Sequence, residues 1–165
     1  MALLALTTGL ALAIYPDGHF DRVTKCTTSN FEGLVKEKVD AGAGLIITQL
    51  FYDCDIFLKF VRDCRQAGIQ VPILPGLMPI QSYGGFKRMT GFCKTRIPPD
   101  MMLELDRLKG DDCKEAFIEF GVQWVTNMCQ KIVASKKYPG LHFYCLNASE
   151  RTYQIMERLG YLRPS

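Results

Sequence analysis

The chain has 165 residues, enough for one domain with a sizeable buried core. Hydrophobic residues make up 48% and charged residues 22%, a balance that excludes a disordered tail and fits an ordinary globular domain. The net charge of +3 comes from scattered basic residues, including a small Lys136-Lys137 pair, so neither a nucleic-acid track nor a membrane patch is expected.

The first fourteen residues are apolar or small, apart from two threonines. The run is too short to span a bilayer as a helix. It has the look of a signal-peptide core, but no lysine or arginine precedes it. Its second half, about 9–14, reads as a strand, and residues 1–8 are set apart from a domain expected over 9–165. Tyr15-Pro16-Asp17-Gly18-His19 is a turn by its Pro and Gly. Tyr15 and His19 either face a ligand there or are simply solvated. Ser29 or Asn30 can cap a helix whose apolar face is Phe31, Leu34, Val35 and Val39, with Lys36 and Lys38 on the polar side.

Leu45, Ile46 and Ile47 form an unbroken apolar run behind Gly42 and Gly44. Flanked by helical patterns, it predicts a strand over 45–49 buried on both faces of a parallel sheet. Thr48 and Gln49 fall where that strand runs out, and ligands of α/β folds bind beyond the carboxyl ends of strands. The Gln49 carboxamide both donates and accepts. It either reads an amide-like edge on a planar ring or caps the strand through backbone hydrogen bonds.

A helix follows over about 53–67, with Ile56, Phe57, Phe60, Val61 and Cys64 on one face and Gly68 ending it. Val71 to Leu74 predict the next strand, with Pro72 at its start. Pro75-Gly76-Leu77-Met78-Pro79 reads as a stiff rim after it. Further helices are expected over about 82–93, over 100–107 behind Pro99, and from Asp111-Asp112 to about Ser135, where the acidic start suits the helix dipole. Leu141 to Leu146 predict a fourth strand, and Ser149 caps a last helix over 150–159 closed by Gly160. Strands and helices alternate, the pattern of a parallel α/β sheet with about four strands.

Seven cysteines are present: Cys26, Cys54, Cys64, Cys93, Cys113, Cys129 and Cys145. The number is odd, no C-x-x-C spacing occurs, and five fall in or near helical patterns. They read as reduced thiols of a cytoplasmic protein, buried as small hydrophobes, and neither a disulfide framework nor a metal site is expected.

Five stretches carry a further signal: Tyr15-Pro16-Asp17-Gly18-His19, Lys36-Glu37-Lys38-Val39-Asp40-Ala41-Gly42-Ala43, Ile47-Thr48-Gln49-Leu50-Phe51, Pro75-Gly76-Leu77-Met78-Pro79 and Leu141-His142-Phe143-Tyr144-Cys145-Leu146-Asn147. Each alone is weak. In this order and at compatible spacing they resemble the methylenetetrahydrofolate reductase family over about residues 13–162. The resemblance implies a TIM barrel holding FAD. Its reaction reduces 5,10-methylenetetrahydrofolate to 5-methyltetrahydrofolate with hydride from NAD(P)H. It also implies roles for residues. Tyr15 and His19 would contact FAD, and Lys38 would reach its phosphate region, where a point charge fits. Gln49 would touch the folate or nicotinamide, and Tyr144 would lie near the same rim.

The departures are as informative. A complete barrel takes about 250 residues and eight strands, so the expectation is a partial, half TIM barrel matching the carboxyl half. The family's folate-protonating acid and its flavin-contacting Arg-Gly-Asp stretch have no match, which leaves the catalytic residue unassigned. Phe31 stands where many members carry an aspartate, and Ala148 where some carry an arginine for the folate tail. Open sheet edges template association, so self-association or pairing with a complementary half-barrel is expected. The alternative reading is a non-catalytic half-barrel that associates with a full-length reductase or another chain.

Overall fold

The computed structural model describes residues 11–14, 31–136 and 138–162. Four strands, β1 (Ala11–Ile14), β2 (Leu45–Leu50), β3 (Ile73–Leu77) and β4 (His142–Phe143), form one sheet in sequential order. Every neighbouring pair is parallel, with Ile14 opposite Thr48, Ile46 opposite Ile73, and Leu77 opposite Phe143. Helices α1 (Phe31–Asp40), α2 (Cys54–Gln66), α3 (Tyr83–Cys93), α4 (Pro99–Arg107), α5 (Lys114–Ser135) and α6 (Glu150–Arg158) alternate with them. Among the described residues no helix is long and apolar enough to cross a membrane.

Helix α2 shows how the sequence sets these elements. The Asp53 carboxylate accepts from the Asp55 amide at 3.0 Å and caps its start. Cys54, Phe57, Phe60, Val61 and Cys64 recur at helical spacing and are buried. Gly68, at φ 81°, takes the left-handed turn that ends it, and the Ile69 amide donates back to the Cys64 carbonyl at 3.0 Å. The Arg65 guanidinium then donates to the Ile69 and Val71 carbonyls at 2.6 and 3.1 Å, which anchors the chain leading into β3.

Four expectations need correcting. Strand β2 is buried on one face only: Ile46, Thr48 and Leu50 are buried, whereas Leu45, Ile47 and Gln49 are partly exposed. The inner set packs with Phe57 and Val61 in the core, and the described residues only partly cover the other face. Strand β3 starts later and runs further than 71–74, continuing through Pro75 and Gly76. The reason is a bulge. Ile47 to Leu50 of β2 lie opposite Leu74 to Gly76 of β3, so β2 carries the extra residue and Pro75 owes the ladder no N–H there. Strand β4 is short, because the chain turns away after Phe143 through Leu146 and Asn147, both at positive φ (47° and 66°). Finally, Asp111–Cys113 form a 3₁₀ turn and the α-helix begins only at Lys114.

Helix α6 is pinned to α5. The Arg158 guanidinium donates to both Glu119 carboxylate oxygens at 2.9 and 2.7 Å and to Gln123 at 3.0 Å. Beneath this pair Ile155 is fully buried. All six cysteines among the described residues are free thiols, and Cys54, Cys64, Cys93 and Cys129 are buried.

Candidate functional site

The bulge in β2 lies at the carboxyl end of the sheet, and it organises what stands there. Thr48 is fully buried, and its hydroxyl oxygen accepts from the Gly76 amide at 2.9 Å. A side chain thus takes the place of a ladder acceptor. The Thr48 carbonyl, freed from regular pairing, accepts from the Tyr144 phenol at 3.0 Å. The Tyr144 amide in turn donates to the Leu77 carbonyl at 2.7 Å. Three strands are tied across one edge by these bonds. Only glycine fits at position 76, because a Cβ there would stand 2.0 Å from the Thr48 carbonyl oxygen and 2.7 Å from the Tyr144 ring.

The tie fixes where Gln49 sits. Its Oε1 accepts from the Leu50 amide at 3.0 Å, using a backbone donor that the bulge leaves free. Backbone capping, one of the two roles open to Gln49 in the sequence, is therefore made in this structure. The carboxamide nitrogen is not engaged in that bond and retains two donors. Gln49 is partly exposed on the less covered face of β2.

A second tie holds the chain beyond β3. The Tyr52 phenol donates to the Met78 carbonyl at 3.1 Å, and the Trp124 indole N–H donates to the Tyr52 carbonyl at 3.0 Å. Burial pushes the Tyr52 phenol far above its ordinary range, so it stays a donor at any relevant pH. Burial also raises the Tyr144 phenol. The His142 ring meets Tyr144 edge-on at 4.7 Å, and desolvation lowers the imidazole below its ordinary value. A neutral His142 and a protonated Tyr144 make this edge uncharged at neutral pH. Its groups can hydrogen-bond and stack on a planar ligand.

Of the residues singled out in the sequence, Gln49 and Tyr144 come to this one edge. Lys38 does not. It stands in the last turn of α1, where its carbonyl accepts from the Ala43 amide at 3.1 Å, ahead of the start of β2. Among the described residues it has no ion-pair partner. Tyr15 and His19 lie outside the described residues. Sequence reasoning left the roles of Thr48, Gly76 and Tyr52 unassigned. A buried polar β-branched residue interrupting an apolar strand was the available signal for Thr48. Among the described residues no cluster of His, Cys, Asp and Glu is fit to hold a metal ion.

The chain as a whole is similar to known proteins. A family model described as methylenetetrahydrofolate reductase matches residues 7–160. The maize protein named methylenetetrahydrofolate reductase (NADH) 1 is 48% identical over 163 residues, which cover 95% of this chain and 27% of that protein. The Escherichia coli 5,10-methylenetetrahydrofolate reductase is 36% identical over 155 residues, covering 94% of this chain and 50% of that protein. A Caenorhabditis elegans relative, 38% identical over 126 residues covering 76% of this chain and 19% of that protein, is named a probable NADPH enzyme. This chain thus spans between a fifth and a half of these relatives. Among solved structures, a Clostridium thermocellum protein described as binding two copies of 5-methyl-5,6,7,8-tetrahydrofolic acid superposes with a TM-score of 0.66. The match covers 93% of this chain and 52% of that one at 15% identity, which speaks to the fold alone. On the extent of the family match and the identity to its members, the chain belongs to the methylenetetrahydrofolate reductase family.

Proposed function

We propose that the chain forms the carboxyl half of a reductase barrel that converts 5,10-methylenetetrahydrofolate to 5-methyltetrahydrofolate. The observation that carries this reading is the carboxyl edge, where the β2 bulge and the Thr48–Gly76–Tyr144 tie present Gln49 within a family of that activity. The half-barrel reading is supported by sheet order. Four parallel strands in unbroken sequence are the order of a barrel, whereas a doubly wound sheet reverses direction at a switch point.

In this reading the Gln49 carboxamide exchanges its bond to the Leu50 amide for bonds to the folate or nicotinamide ring edge. Tyr144 keeps its phenol on Thr48 and offers its ring as a stacking surface. The hydride donor is a reduced nicotinamide. FAD, when bound, would carry hydride between donor and folate. Lys38, which stands in the last turn of α1 ahead of β2, is proposed for the phosphate region on grounds of resemblance, where it would act as a point charge. Tyr15 and His19 are proposed on the same grounds of resemblance. The free thiols support a cytoplasmic setting.

The outer edges of β1 and β4 have no partner strand among the described residues. Pairing with a complementary half-barrel, or with a second copy, would cover them. The test is co-expression with the amino-terminal half of a relative's barrel. A copurifying complex that binds flavin and oxidises NAD(P)H only when methylenetetrahydrofolate is present supports the proposal. Halves that never associate, or a complex inert towards the folate, would refute it.

A further inference from the structure

All-parallel sheets are ordinarily covered on both faces, yet the described residues only partly cover one face of this sheet. Leu45 and Ile47 of β2 and Leu74 of β3 are partly exposed there, with Ile47 in register opposite Leu74. We infer that a second copy of this chain covers that face. Two copies related by a two-fold axis along the barrel axis place β4 of each beside β1 of the other. They close a barrel of eight parallel strands. The inference rests on the half-barrel reading above and names the partner.

Three observations carry it. First, the two edges complement each other. All four strands run parallel in sequential order, so β4 of one copy continues into β1 of another without a change of direction. Edge strands are commonly protected by a charge or a proline. Neither Ala11-Leu12-Ala13-Ile14 nor His142-Phe143 contains Lys, Arg, Asp, Glu or Pro. Second, α6 is secured on one side only. Arg158 ties it to Glu119 and Gln123 of α5. A helix that follows a strand in a parallel sheet packs over the next strand as well, and among the described residues no strand follows β4. Beside α6 and β4 runs an apolar groove of about 420 Å³, lined by Tyr138, Leu141, Phe143, Met156 and Tyr161. The second copy's β1 and α1 would border it. Third, an eight-stranded barrel interior is built in layers of four side chains drawn from alternate strands. A two-fold axis gives each layer two residues from each copy, so Leu45, Ile47 and Leu74 gain apolar partners of their own kind. Both carboxyl edges then share one rim, and each copy completes the other's.

Sedimentation equilibrium of the 165-residue chain tests this, because closure stops at two copies whereas open edges keep adding them. A dimer that does not grow with concentration is expected. Tyr161→Glu places a charge at both junctions and should weaken the dimer about tenfold or more. Tyr161 is 53% exposed, so the variant should keep the wild-type circular dichroism spectrum. Met156→Lys, in the same groove, gives the same test should that spectrum change. Phe92→Glu, at an exposed site on α3 and on neither edge strand nor α6, should leave the dimer unchanged. A monomer, growth past two copies, a dimer indifferent to the groove variants, or equal weakening by Phe92→Glu would each overturn the inference. The half-barrel reading is judged separately by the co-expression above. A complex with the amino-terminal half leaves that reading standing even where the chain alone is a monomer.

Discussion

Replacing Thr48 by valine isolates the bond on which the edge depends. The two side chains have the same shape, but valine cannot accept from the Gly76 amide, which lies 2.9 Å from the threonine hydroxyl oxygen. Thr48 is fully buried, so water cannot replace the lost acceptor without opening the sheet. Leaving a buried donor unsatisfied costs about 1–3 kcal/mol. An added methyl buried in place of the hydroxyl returns roughly 0.8 kcal/mol. The net loss is at most about 2 kcal/mol, which for a chain of this size lowers Tm by up to roughly 8 °C. Thermal unfolding reads the stability, and amide hydrogen exchange at Gly76 reads the bond itself. Thr48→Ser keeps the acceptor, so Gly76 should remain protected in that variant even if the lost methyl costs some stability. Gly76 should exchange faster in Thr48→Val. Wild-type protection of Gly76 in Thr48→Val, with an unchanged Tm, would refute the account of the bulge.

Gln49→Ala in the reconstituted reductase removes a donor and acceptor that the proposed site uses on exchanging ligands. A loss of about 1–3 kcal/mol corresponds to a tenfold to hundredfold lower kcat/KM with flavin content unchanged, measured by turnover and absorbance. Desolvation depresses the His142 pKa, so the folded state disfavours the imidazolium. Its contribution to stability is complete above the unfolded value near 6.5 and declines as pH falls through the folded value. A Tm profile over pH 5–8 should show a smaller decline for His142→Gln than for wild type. The chain alone should sediment as a dimer or larger species, because β1 and β4 each leave an edge without a partner strand among the described residues. A well-behaved monomer that unfolds cooperatively would count against that expectation.

Local chemistry made much of the fold legible. The stop at Gly68 and the burial of Phe57, Phe60, Val61 and Cys64 follow from residue types at fixed spacing, whereas the Asp53 cap and the buried Cys54 were not read and Ile56 is only partly buried. Alternation of strand and helix patterns likewise gave the parallel sheet. Misread features depend on partners distant in sequence. Pro75 ends a strand by every local rule, yet β3 passes through it because a bulge on β2 removes the need for its N–H. Strand β4 looked six residues long because Tyr144, Cys145 and Leu146 are apolar, but left-handed turns at Leu146 and Asn147 divert the chain. At the site, Gln49 and Tyr144 were legible through ordered motifs. Thr48 was named only as a strand end, since its value lies in one hydrogen bond to a residue 28 positions away. Lys38 matched a motif, but periodicity could not show that it stands ahead of β2 and away from the edge where Gln49 lies.

The measurement that bears most directly on the proposed function is a chemical-shift map of the ¹⁵N-labelled chain titrated with 5-methyltetrahydrofolate, which detects even weak binding. The account predicts that the Gln49 side-chain amide and the backbone amides of Leu50, Gly76 and Tyr144 shift together and saturate with one dissociation constant. Amides of α2 facing away from the edge, such as Lys59, should stay in place. Shifts confined to the helices, or none at any concentration of ligand, would contradict the assignment of the carboxyl edge as the folate site.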